Sequence, residues 1–248
     1  MRVPARAVRP APSWLLDVPF AHRGLHDDGI PENSLPAFEA AVAAGYPVEL
    51  DVALSRDGAP VLVHDATLER VAGIDRRVDE LTADELAAVG LGGTDIGVPT
   101  LPEALAVLAE VPVMIEVKQL RPVAGRLERV VAGVLDEHPG PVCVASFNPS
   151  TLRWFRRHRS RTVRVLTASP YIEVRLPRVL VRRLAELRDL PSVEPAAVSY
   201  DLAALPATPT DRWRDAGGAL IAWTVTDEEG LARAQRMADN HIFESVRP

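Results

Sequence analysis

An α/β barrel of eight strand–helix units, with a small insertion after the second strand, is the fold class this sequence predicts. Three observations carry it. Short apolar runs alternate with amphipathic stretches along the whole chain, the pattern of a parallel sheet. One run follows its predecessor too closely for a parallel crossover and must fold back; setting it aside leaves eight. The length, 248 residues, is close to the roughly 250 that a TIM (β/α)8 barrel needs. A doubly wound open sheet is the structural alternative.

The strand candidates are DVPFAH (17–22), PVELDVAL (47–54), PVLVH (60–64), VPVMIEVK (111–118), PVCVASF (141–147), TVRVLT (162–167), AAVSYD (196–201), GALIAWTV (218–225) and HIFES (241–245). Only RDG separates the second from the third. Parallel neighbours need a dozen or more residues between them, whereas a tight Asp-Gly turn makes an antiparallel hairpin. Residues 60–64 therefore form a return strand. Helices are expected at 34–45, with Ser34 as N-cap, Pro36 in the first turn and Gly45 at the stop, and at 101–111 and 228–240. Residues 66–100 suit neither a regular strand nor a long helix. A short helix starting at Thr82 is the one element expected in this insertion at the barrel mouth. The basic runs 153–164 and 174–188 read as solvated helix faces, with Trp154 and Phe155 turned inward. The whole chain reads as one domain, 1–248.

Composition narrows the function. A formal net charge of −6 and a pI near 5.6 argue against nucleic-acid binding. Cys143, the single cysteine, lies in an apolar run and reads as a buried thiol. No signal peptide or membrane span is legible, so the expected compartment is the cytoplasm, without stable membrane insertion.

Chemistry gathers at the strand ends, the face on which barrel enzymes build their sites. The first strand ends in His22-Arg23-Gly24. The second carries Glu49 and Asp51, placed on one face by the two-residue period and opposite Val48, Leu50 and Val52. The return strand brings His64-Asp65. The strand before 119 carries Glu116 and Lys118, again two apart. Lys118 is the one lysine among 28 basic residues, and a compact point charge fits a crowded corner where a wide guanidinium would collide. Three carboxylates in one mouth repel and call for a cation. Oxygen-only donors select Mg²⁺ or Ca²⁺, with Mn²⁺ admissible. The histidines are then left for proton transfer, and Arg23 and Lys118 for an anion. The plain structural reading is ion pairing, Glu116 with Lys118 and Asp51 with Arg23.

The segments HRG, PENS, ELD, HD and IEVK, in this order, give the chain its resemblance to the glycerophosphodiester phosphodiesterase family. AHRGLHDDGIPENSLPAFEAAVAAGYPVELDVALSRDGAPVLVHDATLERVAG (21–73) is similar to the family's N-terminal signature almost throughout, and VPTLPEAL, IEVK, SFNPSTL and AWTVT follow. The resemblance implies metal-dependent hydrolysis of a glycerophosphodiester to glycerol 3-phosphate and an alcohol, hence a role in lipid and glycerol metabolism. Glu49, Asp51 and Glu116 would hold the metal, His22 and His64 form the acid–base pair, and Arg23 and Lys118 contact the phosphate. Trp223 would line the substrate pocket, and Glu32 and Asn33 brace the loop near Arg23. The chain departs from the family in WTVT, which loses an amide, and in its closing stretch. There, Glu244-Ser245 stands for Thr-Asp, with His241 read as structural. The rival readings are a lysophospholipase D- or sphingomyelinase D-like phosphodiesterase, and a barrel that binds phosphodiesters without hydrolysis. The lipid reading needs an apolar entry, for which Leu25, Ile74, Leu91 and Ile96 are too few. Oligomeric state is not legible.

Overall fold

The structure, a computed structural model, describes residues 8–118, 124–170 and 178–248. Two compact units divide it: Phe20–Val142, and the described residues on either side of that span.

The first unit begins with β1 (Phe20–His22) and α1 (Leu35–Ala43), followed by β2 (Val48–Leu54), which pairs parallel to β1 with His22 opposite Glu49. The Ser34 hydroxyl accepts from Ala37 N–H at the start of α1, and Gly45 takes φ 79° just past its end, the start and stop that the residues imply. β3 (Pro60–Leu62) returns antiparallel along β2, Val52 opposite Leu62, as the Asp-Gly turn dictates. The inserted segment then runs through β4 (Thr67–Leu68), α2 (Glu69–Ala72), β5 (Ile74–Arg77) and α3 (Ala83–Ala87). Thr82 caps α3 in a reciprocal box with Glu85, as its position in TADE suggests. The β4–β5 pairing is an addition to what the sequence shows. Its strands are short, and β5 is exposed at every position, so neither displays an alternating pattern.

The insertion packs a core of its own from Leu68, Val78, Leu81, Leu86, Leu91 and Val98 against Val61 and Val63 of the return segment. Leu91, which the sequence offered as mouth-lining, is thus committed to packing. α4 (Leu101–Val107), capped by Thr100, leads into β6 (Val113–Val117), which lies parallel to β2 with Asp51 opposite Glu116. α5 (Arg126–Glu137) follows.

The second unit continues the alternation with β7 (Val142–Ser146), α6 (Pro149–His158), β8 (Val163–Ala168), α7 (Arg178–Ala185), α8 (Leu190–Val193), β9 (Ala197–Asp201), α9 (Thr208–Asp215), β10 (Ala219–Val225), α10 (Glu228–Met237) and β11 (Asn240–Phe243). β7 to β11 pair parallel, each with the next. Cys143 is buried, as expected. Phe155 is fully buried, whereas Trp154 stays half-buried and stacks on His158 at 4.6 Å, because it lies one position off the inward stripe of α6. Of the basic run 174–188, residues 174–177 lie outside the described residues, and α7 covers much of the rest.

Eight parallel strands separated by helices, plus one antiparallel return strand, make this a TIM (β/α)8 barrel. Among the described residues, no helix is long and apolar enough to cross a membrane.

Candidate metal and phosphodiester site

The unit Phe20–Val142 holds nine of the ten site residues read from the sequence. β2 is buried on both faces. Val48, Leu50 and Val52 alternate with Glu49, which is 3% exposed, and Asp51, 1% exposed. Glu116, on the neighbouring β6, shares the face of Asp51 by register. One carboxylate oxygen from each of these three acids lies within 4.8 Å of the others.

The loop after β1 is built to reach this cluster. Arg23 and Asn33 both take left-handed backbone, φ 57° and 53°, and Asn33 N–H donates to the Arg23 carbonyl at 3.0 Å. Asparagine is among the few residues that enter this region readily. Between them Gly24 sits at φ 85°, where an added Cβ would stand 2.8 Å from the Ala37 backbone. Only glycine serves there, which explains the third letter of HRG. The Asn33 side chain reaches Asp51 itself, going beyond the loop-bracing role that the resemblance implies.

Cations surround part of the cluster. Lys118 Nζ lies 2.9 Å from Asp51 Oδ1 and 2.5 Å from Glu116 Oε1. Arg23 Nε lies 3.0 Å from Asp51 Oδ2, and its Nη1 donates to Glu32 Oε1 at 2.9 Å. Both ion pairs of the plain structural reading therefore form. Burial works against ionising Asp51, but Lys118 and Arg23 outweigh it and hold its pKa far below the usual range. Burial likewise disfavours the charged Lys118, yet Asp51 and Glu116 keep it protonated above its ordinary range.

Glu49 is the acid left over. Its Oε2 is enclosed and, among the described residues, accepts no hydrogen bond; His22 Nε2 stands 4.0 Å away. Burial first, and then the charges of Asp51 and Glu116, push its pKa well above the usual carboxylate range. Three carboxylates face two cations, Lys118 and Arg23, and Arg23 is shared with Glu32. An unpaired buried carboxylate is costly. The donor set, all oxygen and net negative, fits a hard divalent cation.

His64, two residues beyond the return strand, places Nδ1 2.8 Å from Asp65 Oδ1. Sequence reasoning passed over Asp65 as a site residue, although the HD dipeptide was in view. It also missed Arg70, which joins Asp65 to Glu32. Arg70's place depends on how the insertion folds, and nothing in its local spacing announces that.

The tenth residue, Trp223, belongs to the other unit. It stands opposite Asp201 in the β9–β10 register and meets Phe147 edge-on at 5.5 Å, with Nε1 enclosed and, among the described residues, without a hydrogen-bond partner. In the closing stretch, Glu244 N–H donates to the Val225 carbonyl and Ser245 takes φ 65°. His241 is buried in β11, which lowers its pKa.

A family model described as the glycerophosphoryl diester phosphodiesterase family matches residues 22–243, from His22 at the end of β1 to the end of β11. The chain belongs to that family. A probable glycerophosphodiester phosphodiesterase 2 of Mycobacterium tuberculosis is 31% identical over 154 residues, 60% of this chain and 53% of that protein. A glycerophosphodiester phosphodiesterase of Caldanaerobacter subterraneus is 31% identical over 145 residues, 54% of this chain and 59% of that protein. The matched segments thus span between half and three-fifths of these relatives' length. Among solved structures, an Oleispira antarctica phosphodiesterase in complex with the product sn-glycerol-3-phosphate superposes with a TM-score of 0.77, covering 93% of this chain and 94% of that one at 22% identity. At that identity the likeness bears on fold.

Proposed function

We propose that this protein hydrolyses glycerophosphodiesters to glycerol 3-phosphate and an alcohol, as a single barrel domain with an insertion at about 66–100. The observation that carries the reading is the cluster of Glu49, Asp51 and Glu116, with one carboxylate oxygen unpartnered, on the same unit as His22 and His64. Family membership and the activities for which the relatives are named support it.

Glu49, Asp51 and Glu116 would hold one Mg²⁺ or Ca²⁺, with Mn²⁺ also suited to the donors. When bound, such an ion supplies Lewis-acid neutralisation of charge on a phosphoryl oxygen. Arg23 and Lys118 add fixed positive charge for the same phosphate. A guanidinium offers a planar pair of donors, and an ammonium can offer a third N–H beyond the two given to Asp51 and Glu116. With Nδ1 engaged by Asp65 Oδ1, His64 would have its Nε2 left for proton exchange. In the reaction, one of His22 and His64 takes the proton of the attacking oxygen as the new P–O bond forms. The other gives a proton to the departing alkoxide as the old bond breaks. Each transfer contributes roughly 10²–10⁴-fold. The attacking oxygen is water, or the glycerol 2-hydroxyl with water opening the resulting cyclic phosphate. Trp223 is assigned to the substrate wall by the resemblance.

The test is release of glycerol 3-phosphate from a panel of glycerophosphodiesters with Mg²⁺, Ca²⁺ or Mn²⁺, each with and without EDTA. Metal-dependent release supports the reading; no release from any diester with any of the ions refutes it.

A further inference from the structure

We infer that Arg70, supplied by the insertion, is a positioning residue for His64, acting through Asp65, and that the same guanidinium fixes Arg23 through Glu32. The inference rests on the function proposed above for its chemical meaning.

Arg70 is the second residue of α2, a single turn closed by Gly73 at φ 68°. Its guanidinium touches two carboxylates at once. Nε donates to Asp65 Oδ2 at 2.6 Å, while Nη1 and Nη2 donate to Glu32 Oε2 and Oε1 at 2.7 and 2.8 Å. Each carboxylate passes the constraint on. Asp65 presents its other oxygen to His64 Nδ1 at 2.8 Å. Glu32 Oε1 also accepts from Arg23 Nη1 at 2.9 Å, and Arg23 in turn stands beside Asp51. The chain of contacts His64–Asp65–Arg70–Glu32–Arg23–Asp51 is continuous, and among the described residues Arg70 is the link between its histidine side and its phosphate-gripping side.

The chemistry of the link is specific to arginine. A planar fork meets Glu32 through two parallel N–H bonds and still has Nε for Asp65. With Oδ2 engaged by Arg70 and Oδ1 by His64 Nδ1, the Asp65 carboxylate is anchored at both oxygens. A carboxylate at Nδ1 selects the tautomer with the proton on Nδ1 and leaves Nε2 able to accept one. Burial opposes ionisation of Glu32, but the Arg70 hydrogen bonds and the Arg23 charge prevail and lower its pKa.

Arg70 is not part of the insertion's apolar core, which is built from Leu68, Val78, Leu81, Leu86, Leu91 and Val98, and its side chain is half exposed. Removing the guanidinium therefore leaves the packing of the segment in place. The insertion thus has a chemical role as well as a structural one, because its fold brings one cation to the two ends of the site.

The experiment compares wild type, Arg70→Ala and Arg70→Lys in three readouts: the ¹⁵N shifts of the His64 ring, kcat and KM with saturating metal, and kcat with added guanidinium ion. The inference expects His64 protonated at Nδ1 in wild type and a mixture of tautomers in Arg70→Ala. It expects kcat to fall about 10–100-fold, the usual cost of losing such a positioning partner, with a smaller change in KM. Guanidinium should restore part of kcat. Arg70→Lys, which can hold one carboxylate but not both, should lie between. An unchanged His64 tautomer with unchanged kcat in Arg70→Ala overturns the inference. So does a kcat loss with the tautomer unchanged and no recovery on adding guanidinium, the signature of a structural role alone. Should wild type hydrolyse no diester, the proposed function fails, whereas the His64 ring shifts still test the hold of Arg70.

Discussion

Asn33 holds Asp51 twice: its Nδ2 donates to Asp51 Oδ2 at 3.0 Å, and its Oδ1 accepts from the Asp51 N–H at 3.1 Å. Both residues are buried. The pair pins one acid of the cluster in position and orientation, and it explains why the PEN stretch lies close to HRG in sequence yet acts on the second strand. Asn33→Gly keeps the left-handed backbone open to the residue and removes both bonds. It should lower unfolding free energy by about 1.5–3 kcal/mol, the range for a hydrogen bond to a charged group. It should also weaken divalent-cation affinity. Chemical denaturation and calorimetry measure the two effects.

Gly24→Ala tests the turn after His22. The new Cβ would press on Ala37 at 2.8 Å and force a side chain onto φ 85°. Left-handed backbone costs roughly 1–2 kcal/mol and overpacking roughly 1–3, so a loss of about 2–5 kcal/mol in denaturant unfolding is expected. The same substitution at Gly45, where nothing lies within 4 Å, should cost only the backbone share.

His22→Ala and His64→Ala should each lower kcat by about 10²–10⁴-fold while circular dichroism and melting temperature stay near wild type. Lys118→Arg is the sharper substitution because it keeps the charge. The ammonium fits between Asp51 and Glu116 at 2.9 and 2.5 Å. A guanidinium is wider and cannot take that place without moving an acid, so kcat should fall at least about tenfold. Wild-type kcat in any of these three variants would remove that residue from the mechanism.

Metal-free stability should carry the mark of Glu49. Its folded pKa is raised, chiefly by burial and then by Asp51 and Glu116, so the folded state holds this proton more tightly than the unfolded chain. The contribution of Glu49 is then fully present below the ordinary carboxylate pKa and is lost as pH rises through the raised folded value. In EDTA, Glu49→Gln should match wild type at acidic pH and become the more stable of the two as pH increases across that window. Saturating Mg²⁺ or Ca²⁺ should reverse the order at neutral pH. Denaturation curves at a series of pH values, with and without metal, read this directly. A constant difference between the two proteins at every pH would contradict it.

Much of this was legible in the residues. The two-residue period of VELDV placed Glu49 and Asp51 on one face, and RDG fixed the return strand, because both depend on local geometry alone. Ser34 and Thr82 announced their helices for the same reason. The β4–β5 ribbon stayed hidden because Ile74–Arg77 is exposed throughout and offers no periodic signal. Trp154 misled because it adjoins Phe155, and only the phase of the helix separates the inward ring from its neighbour. Arg70 was out of reach for a deeper reason. Its partners, Glu32 and Asp65, stand 38 and 5 residues away, and the apolar core of the insertion brings them together.

The central claim is that Glu49, Asp51 and Glu116 together hold one divalent cation. Isothermal titration of Mg²⁺ and of Ca²⁺ into the metal-free protein and into Glu49→Gln tests it most directly. One site per chain in wild type, lost or weakened at least about tenfold in the variant, is the predicted result. A wild type that takes up neither ion, or a variant that binds as tightly as wild type, would contradict it.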